Sequence, residues 1–240
     1  MKTTFQRMGV AILLSMAIVT SSCANSLTQE RKKEERDVKN FTAIQLSISA
    51  DVYLTQANGY SFTIEGDKSS LDRVITEVRG NTLVIKTERI NQRFLKSNIK
   101  IHITMPDIEG LAISGSGDIK AVTPLVTRDL TLRVSGSGDI SIPDLTLKSL
   151  YAAVSGSGDI TISGQGVASD ANVKISGSGD VILKGVRFQN ADISIAGSGD
   201  AYVELSENLK ARVAGSGDIV YSGNPLVDAK VSGSGTIRNK

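Results

Sequence analysis

Six aspartates recur at nearly one interval: Asp118, Asp139, Asp159, Asp180, Asp200 and Asp218, each behind a Gly-Ser-Gly, with Thr236 in the seventh place. The steps are 21, 20, 21, 20, 18 and 18 residues. Carboxylates in a row can hold calcium, or, at a set separation across a sugar, can act as the acid and base of a glycosidase. The spacing argues against both. Calcium-binding glycine-aspartate repeats have a nine-residue period with a residue between Gly and Asp, whereas here Asp follows Gly directly. Catalytic acids mark breaks in a repeat, and these acids follow it. The plainer expectation is that each carboxylate bonds N–H groups of its own turn and is solvated on its outer side. Calcium is kept as the alternative ligand of this ladder. Stacked carboxylates repel by about 1 kcal/mol in bulk water and by a few times that at an effective dielectric near 20. Arg133, Lys174, Arg212 and Lys230 stand close enough in sequence to relieve part of that repulsion.

Other catalytic chemistry is thinly supplied. His102 is the one histidine and lies between Ile101 and Ile103 on an alternating run, which points it outward. Cys23 is the one cysteine, so the chain has no disulfide framework, and with Cys23 read as lipidated one histidine leaves no Cys/His pair or metal cluster of those residues. The repeated serines have no base beside them, and the glycine-rich turns lack the lysine and following helix of a phosphate loop. Tyr151, Tyr202 and Tyr221 with Phe188 form either a side patch for a ligand or filling for wide corners. The small number of aromatics argues against a deep sugar cleft.

The elements that carry the aspartates are strands. Leu130, Leu132 and Val134 lead into one turn and Ile140 and Ile142 lead out, with Thr131 and Arg133 between them, a period of two with one face buried. A unit of strand, GSGD turn, strand and looser corner cannot bury its inward face alone. Stacked units can, each strand pairing in parallel with its equivalent about 4.8 Å away. The predicted fold class is all-β, a parallel β-helix with coils of about 20 residues. Two glycines per turn, Gly115 and Gly117, Gly136 and Gly138, Gly156 and Gly158, Gly177 and Gly179, Gly197 and Gly199, Gly215 and Gly217, Gly233 and Gly235, supply positive backbone dihedrals there. Residues 111–240 form this regular solenoid. Residues 38–110 are an atypical β cap: residues 46–56 read as a degenerate coil, two strands flank Gly80-Asn81, and residues 67–74 suit a helical turn.

At the N-terminus, Lys2 and Arg7 precede an apolar run over residues 10–20 that ends in Ser21, Ser22 and Cys23. That run is too short to span a bilayer, and the pattern is that of a lipoprotein signal peptide over residues 1–22, with Cys23 lipidated. An ordinary secretory leader is the alternative. Residues 23–37 are charge-dense without apolar periodicity and read as a tether to the membrane, or as a short amphipathic helix. The leader holds two of the 27 basic residues and none of the 25 acidic ones, so the exported chain is formally neutral, which argues against a nucleic-acid partner.

The SGSGD turns, the opening FTAIQLSISADVYLTQANGYSFTIEGD, and NTLVIKT followed by IHITMPDIEGLAISGSGDI resemble the head GIN domain family, grouped with auto-transporter adhesins and often carried on lipoproteins. The resemblance spans residues 38–240 and implies a right-handed β-solenoid. The expectation is a non-catalytic envelope lipoprotein, on the cell surface or the periplasmic face of the outer membrane, that binds a protein or glycan partner or associates with itself. A polysaccharide-active enzyme and a periplasmic scaffold or sensor are the alternatives.

Overall fold

Parallel pairing between residues about twenty apart organises the protein. The structure is a computed structural model that describes residues 31–87 and 98–240. The leader, Cys23 and residues 24–30 lie outside the described residues. In chain order the elements are β1 (Arg31–Glu35), β2 (Ala43–Leu46), β3 (Asp51–Gln56), β4 (Ser61–Asp67), α1 (Lys68–Leu71), β5 (Val74–Arg79), β6 (Thr82–Thr87), β7 (Lys100–Met105), β8 (Gly110–Ile113) and β9 (Asp118–Ala121). They continue with β10 (Leu125–Val126), β11 (Asp129–Val134), β12 (Ile140–Ile142), β13 (Leu145–Thr146), β14 (Ser149–Val154), β15 (Ile160–Ile175) and β16 (Val181–Gly197). The last are β17 (Ala201–Gly215), β18 (Ile219–Gly223), β19 (Leu226–Gly233) and β20 (Ile237–Asn239).

Register follows the turn motif. Val134 pairs with Val154, Val154 with Ile175, Ile175 with Ile195 and Ile195 with Val213, all in parallel. Beyond the turn, Ile140, Ile160, Val181, Ala201 and Ile219 make a second column. Every member of both columns is buried. Each large aliphatic side chain so buried contributes about 1.5–3 kcal/mol, set against the cost of ordering the chain. From residue 160 onward the looser corner is itself extended, so that β15, β16 and β17 each run from one GSGD turn to the next.

The N-terminal third is woven rather than stacked in chain order. β2 lies between β6 and β8, and β3 between β7 and β9, all parallel. The expected degenerate coil is therefore a true coil, with Asp51 opposite Asp118 and Val52 opposite Ile119. The chain then leaves to build the end of the solenoid with β4, α1 and β5, returns as β6 and β7, and steps past its own first coil to reach β8. The hairpin about Gly80-Asn81 forms as expected, with Arg79 opposite Thr82 and Gly80 at φ 60°.

One boundary differs from the sequence reading. Residues 31–37 belong to the cap instead of to a tether: β1 pairs antiparallel with β4, Arg31 opposite Asp67, and the Arg36 guanidinium donates to the carbonyls of Val74 and Leu71. The charges that suggested a solvated linker are those of an edge strand, where Lys and Glu discourage further pairing.

The glycine pairs also act differently from the expectation. Gly136, Gly156, Gly177, Gly197, Gly215 and Gly233 have positive φ, but Gly115 and the second glycine of each turn do not. The second glycines are buried against the preceding coil, and a Cβ on Gly158 would overlap the carbonyl oxygen of Gly138. The close stacking of turn on turn, more than dihedral freedom, requires glycine there. Gly115 faces the degenerate coil, and a Cβ on it would come no nearer than 3.8 Å to Ile48. Gly158→Ala should therefore destabilise the protein by about 3 kcal/mol or more, while Gly115→Ala should leave the thermal midpoint nearly unchanged; paired melting curves check both.

Candidate functional site

The aspartate column runs along the corner of the stack as one continuous chain of hydrogen bonds. Oδ1 of Asp118 accepts from the backbone N–H of Asp139 at 2.9 Å, and Oδ1 of Asp139 from that of Asp159 at 2.8 Å. The pattern continues through Asp180 at 2.8 Å, Asp200 at 2.7 Å and Asp218 at 2.8 Å. It ends where Thr236 donates to Asp218 through both its N–H and its hydroxyl, at 2.8 and 3.0 Å. Each carboxylate thus reaches across to the next coil, and not to its own turn as the sequence suggested. Going the other way, the carbonyl of Asp139 accepts from the N–H of Ile119 at 2.9 Å. Asp51 precedes this chain, because Asp118 N–H bonds the Ala50 carbonyl instead.

One carboxylate oxygen per coil is therefore committed to the backbone. Among the described residues no three His, Cys, Asp or Glu side chains are grouped to hold a metal ion. Burial pushes the Asp180 carboxyl above the usual carboxylate range, with the charges of Asp159 and Asp200 adding to the effect and the Asp200 amide opposing it. Burial likewise raises the Tyr202 phenol, next to Asp200, to which its hydroxyl donates at 3.3 Å. The four cations expected to relieve this column are engaged elsewhere or turned away. Arg133 and Lys174 lie over the Tyr151 ring at 4.8 and 5.8 Å, and Arg212 pairs with Asp228 at 3.2 Å. They project from the strand before the turn, on a different side of the coil.

That side carries a second set of polar columns outside the GSGD motif. Asp129 and Ser149, which open β11 and β14, stand in register with Asp170, Asn190 and Asn208 inside β15, β16 and β17, and two residues later come Thr131, Tyr151, Asn172, Asp192 and Lys210. Together they line a groove of about 530 Å³. Asn208 donates to Asn190 at 2.8 Å and Asn190 to Asp170 at 3.2 Å, an amide and carboxylate ladder parallel to the stack. Asp192 and Lys210 pair at 3.3 Å. The Oδ1 atom of Asn172 is buried with no hydrogen-bond partner, an acceptor that a ligand's donor would satisfy. The signal was present in the sequence: Asp170, Asn190 and Asn208 share the interval of the GSGD turns.

The aromatic patch does not assemble as one surface. Phe188 is 1% exposed and fills the core, Tyr221 packs against it, and Tyr151 alone lines the groove. His102 is exposed as expected, its ring stacked on Tyr53 at 5.1 Å.

The family profile described as "Putative auto-transporter adhesin, head GIN domain" matches residues 40–225. The chain belongs to the head GIN domain family. A crystal structure of a putative adhesin from Bacteroides fragilis superposes with a TM-score of 0.82 at 28% identity, covering 89% of this chain and 98% of that one. A putative lipid binding protein from Parabacteroides distasonis has a TM-score of 0.72 at 24% identity over 89% and 98% of the two chains. A putative adhesin from Parabacteroides merdae has 0.68 at 20% identity over 89% and 97%, and these two share the fold. No curated protein matches the chain. The turn chain and the groove are thus features of a head GIN domain.

The charge on Asp180 is a liability in the folded state, so its stability contribution is greatest below the ordinary carboxylate pKa and declines as pH climbs toward the raised folded value. In Asp180→Asn the amide oxygen keeps the acceptor for Asp200 and drops the charge. It should be at least as stable as the parent at pH 7, with the difference vanishing at pH 3. Asp180→Ala orphans the Asp200 N–H and should cost about 1–3 kcal/mol. Thermal melts of the three proteins at both pH values check the signs.

Proposed function

We propose that this head GIN domain is a non-catalytic, adhesin-like binding module of the cell envelope, anchored through a lipidated Cys23, and that its groove takes an extended glycan. The observation that carries the reading is the polar ladder at one-coil spacing, Asp170, Asn190 and Asn208, beside Tyr151 and the unpaired Asn172 acceptor. Amide and carboxylate groups repeated along a groove suit a chain of hydroxyls, and Tyr151, flanked by Arg133 and Lys174, contributes its ring edge and hydroxyl to the groove lining. A peptide would be a poorer fit, because every strand lining the groove is already paired on both sides within the stack and offers no free edge for strand addition. The adhesin description shared by the family and by the Bacteroides fragilis structure supports a binding role at the envelope. The carboxylates of the turn column are spent on backbone N–H groups, which leaves them no evident part in bond cleavage.

The test is calorimetric titration of the full chain in detergent with a panel of purified capsular, cell-wall and host polysaccharides, with product analysis after prolonged incubation. Binding should appear for at least one polysaccharide, unaccompanied by cleavage. Tyr151→Ala should weaken it about tenfold or more, the scale of one lost aromatic contact of about 1.4 kcal/mol. Reproducible cleavage, or binding indifferent to Tyr151 and Asn190 substitutions, would overturn the reading.

A further inference from the structure

The two ends of the solenoid are finished in opposite ways. At the N-terminal end the edges are β1, charged along Arg31, Lys32, Lys33, Glu34 and Glu35, and the half-buried β5, whose Val74 carbonyl the Arg36 guanidinium covers. At the other end β19 reads Leu-Val-Asp-Ala-Lys-Val-Ser-Gly and is exposed along its whole length. Leu226 is 78% exposed, Val227 42% and Val231 43%. Its one strand partner among the described residues is β17. An open apolar edge of this kind is a template for pairing with another strand.

The direction of its free hydrogen-bonding groups follows from the coils below. At the register positions of Asp228 and Ser232, the amides of Thr131, Ser135, Ser155 and Ser176 all bond into the preceding coil. Since alternate residues of a strand point their N–H and C=O to opposite sides, Val227, Ala229 and Val231 direct theirs out of the free edge, while Asp228 and Lys230 bond inward.

We infer that β19 pairs antiparallel with β19 of a second copy of this chain, about a two-fold axis at Ala229. In that register Ala229 faces Ala229 and Val227 faces Val231 as hydrogen-bonded pairs. Asp228 and Lys230 face each other twice as the closer, non-hydrogen-bonded pairs. The neighbouring same-face registers fail on charge: a shift one way puts Asp228 opposite Asp228, and a shift the other way puts Lys230 opposite Lys230. Lys230 stands beside Arg212 in the ladder, whose guanidinium already holds Asp228 at 3.2 Å. A second copy supplies the carboxylate that Lys230 lacks among the described residues. The interface is isologous and closes at two copies. It puts the two N-terminal caps at opposite extremes of the assembly, so that tethers leaving them would join two surfaces. The inference is independent of the groove, which lies on the side of the stack.

Sedimentation equilibrium of the full chain in detergent tests this, with melting curves as a control for folding. Ala229→Pro removes an N–H that faces outward and should leave the melting curve close to the parent's while abolishing the dimer. Lys230→Glu sets a carboxylate against Asp228 of the other copy and should raise the dimer dissociation constant at least tenfold. Asp228→Lys combined with Lys230→Glu restores opposite charges and should recover the dimer. A monomeric parent chain would overturn the inference and leave the edge to another occupant. A dimer that survives Ala229→Pro, or that the charge swap fails to rescue, would overturn it equally.

Discussion

Everything in this protein depends on how closely one GSGD turn can sit on the next. The carbonyl of one turn glycine occupies the space that a Cβ of its successor would need, so the coils approach at full strand-pairing distance even at the corner. With that approach granted, the carboxylate of each Asp reaches the amide of the following one, and the backbone ladder of the strands continues through a bend where direct pairing would otherwise be lost. The aspartates are therefore structural in the first instance: they satisfy a row of exposed to half-buried donors at the point where the sheet changes direction.

This arrangement carries an electrostatic cost that the protein tolerates instead of cancelling. The cations nearest in sequence serve Tyr151 and Asp228, and the raised position of the Asp180 carboxyl records the residual burial and repulsion. A charge-assisted hydrogen bond in each coil offsets only part of the repulsion between neighbours. The consequence for function is that the most conspicuous motif of the chain is occupied with holding the coils together, which frees the strand faces and the ends for recognition.

Those faces are simple because the stack is simple. A side chain repeated at the coil interval becomes a straight polar rail, and the Asp170, Asn190 and Asn208 ladder is such a rail. The ends are where the two halves of the chain differ. The N-terminal segment folds back as a charged edge strand held by Arg36, whereas β19 presents valines and one pair of opposite charges. Both ends meet the same physical problem, an open row of backbone groups, and among the described residues the first meets it with charged side chains and the Arg36 guanidinium while the second is left apolar.

The sequence by itself determined the all-β class, the coil length, the inward columns and the position of the turn. These follow from local alternation and from a repeat interval that any in-register stack must keep. Residues such as Val154 and Ile160 were legible as core for that reason, whereas Phe188, in the irregular corner, was legible only as one of two alternatives, corner filling or surface patch, and the structure shows the first. Tertiary structure alone decided which coils are neighbours at the N-terminal end. Val52 fits Ile101 and Ile119 equally well in hydrophobic pattern, and it lies between them. It also decided where each Asp carboxylate points and why the second glycine of each turn has no substitute. A hydrogen bond or a steric contact between residues twenty apart depends on the distance between coils, and that distance is set only when the whole stack has formed.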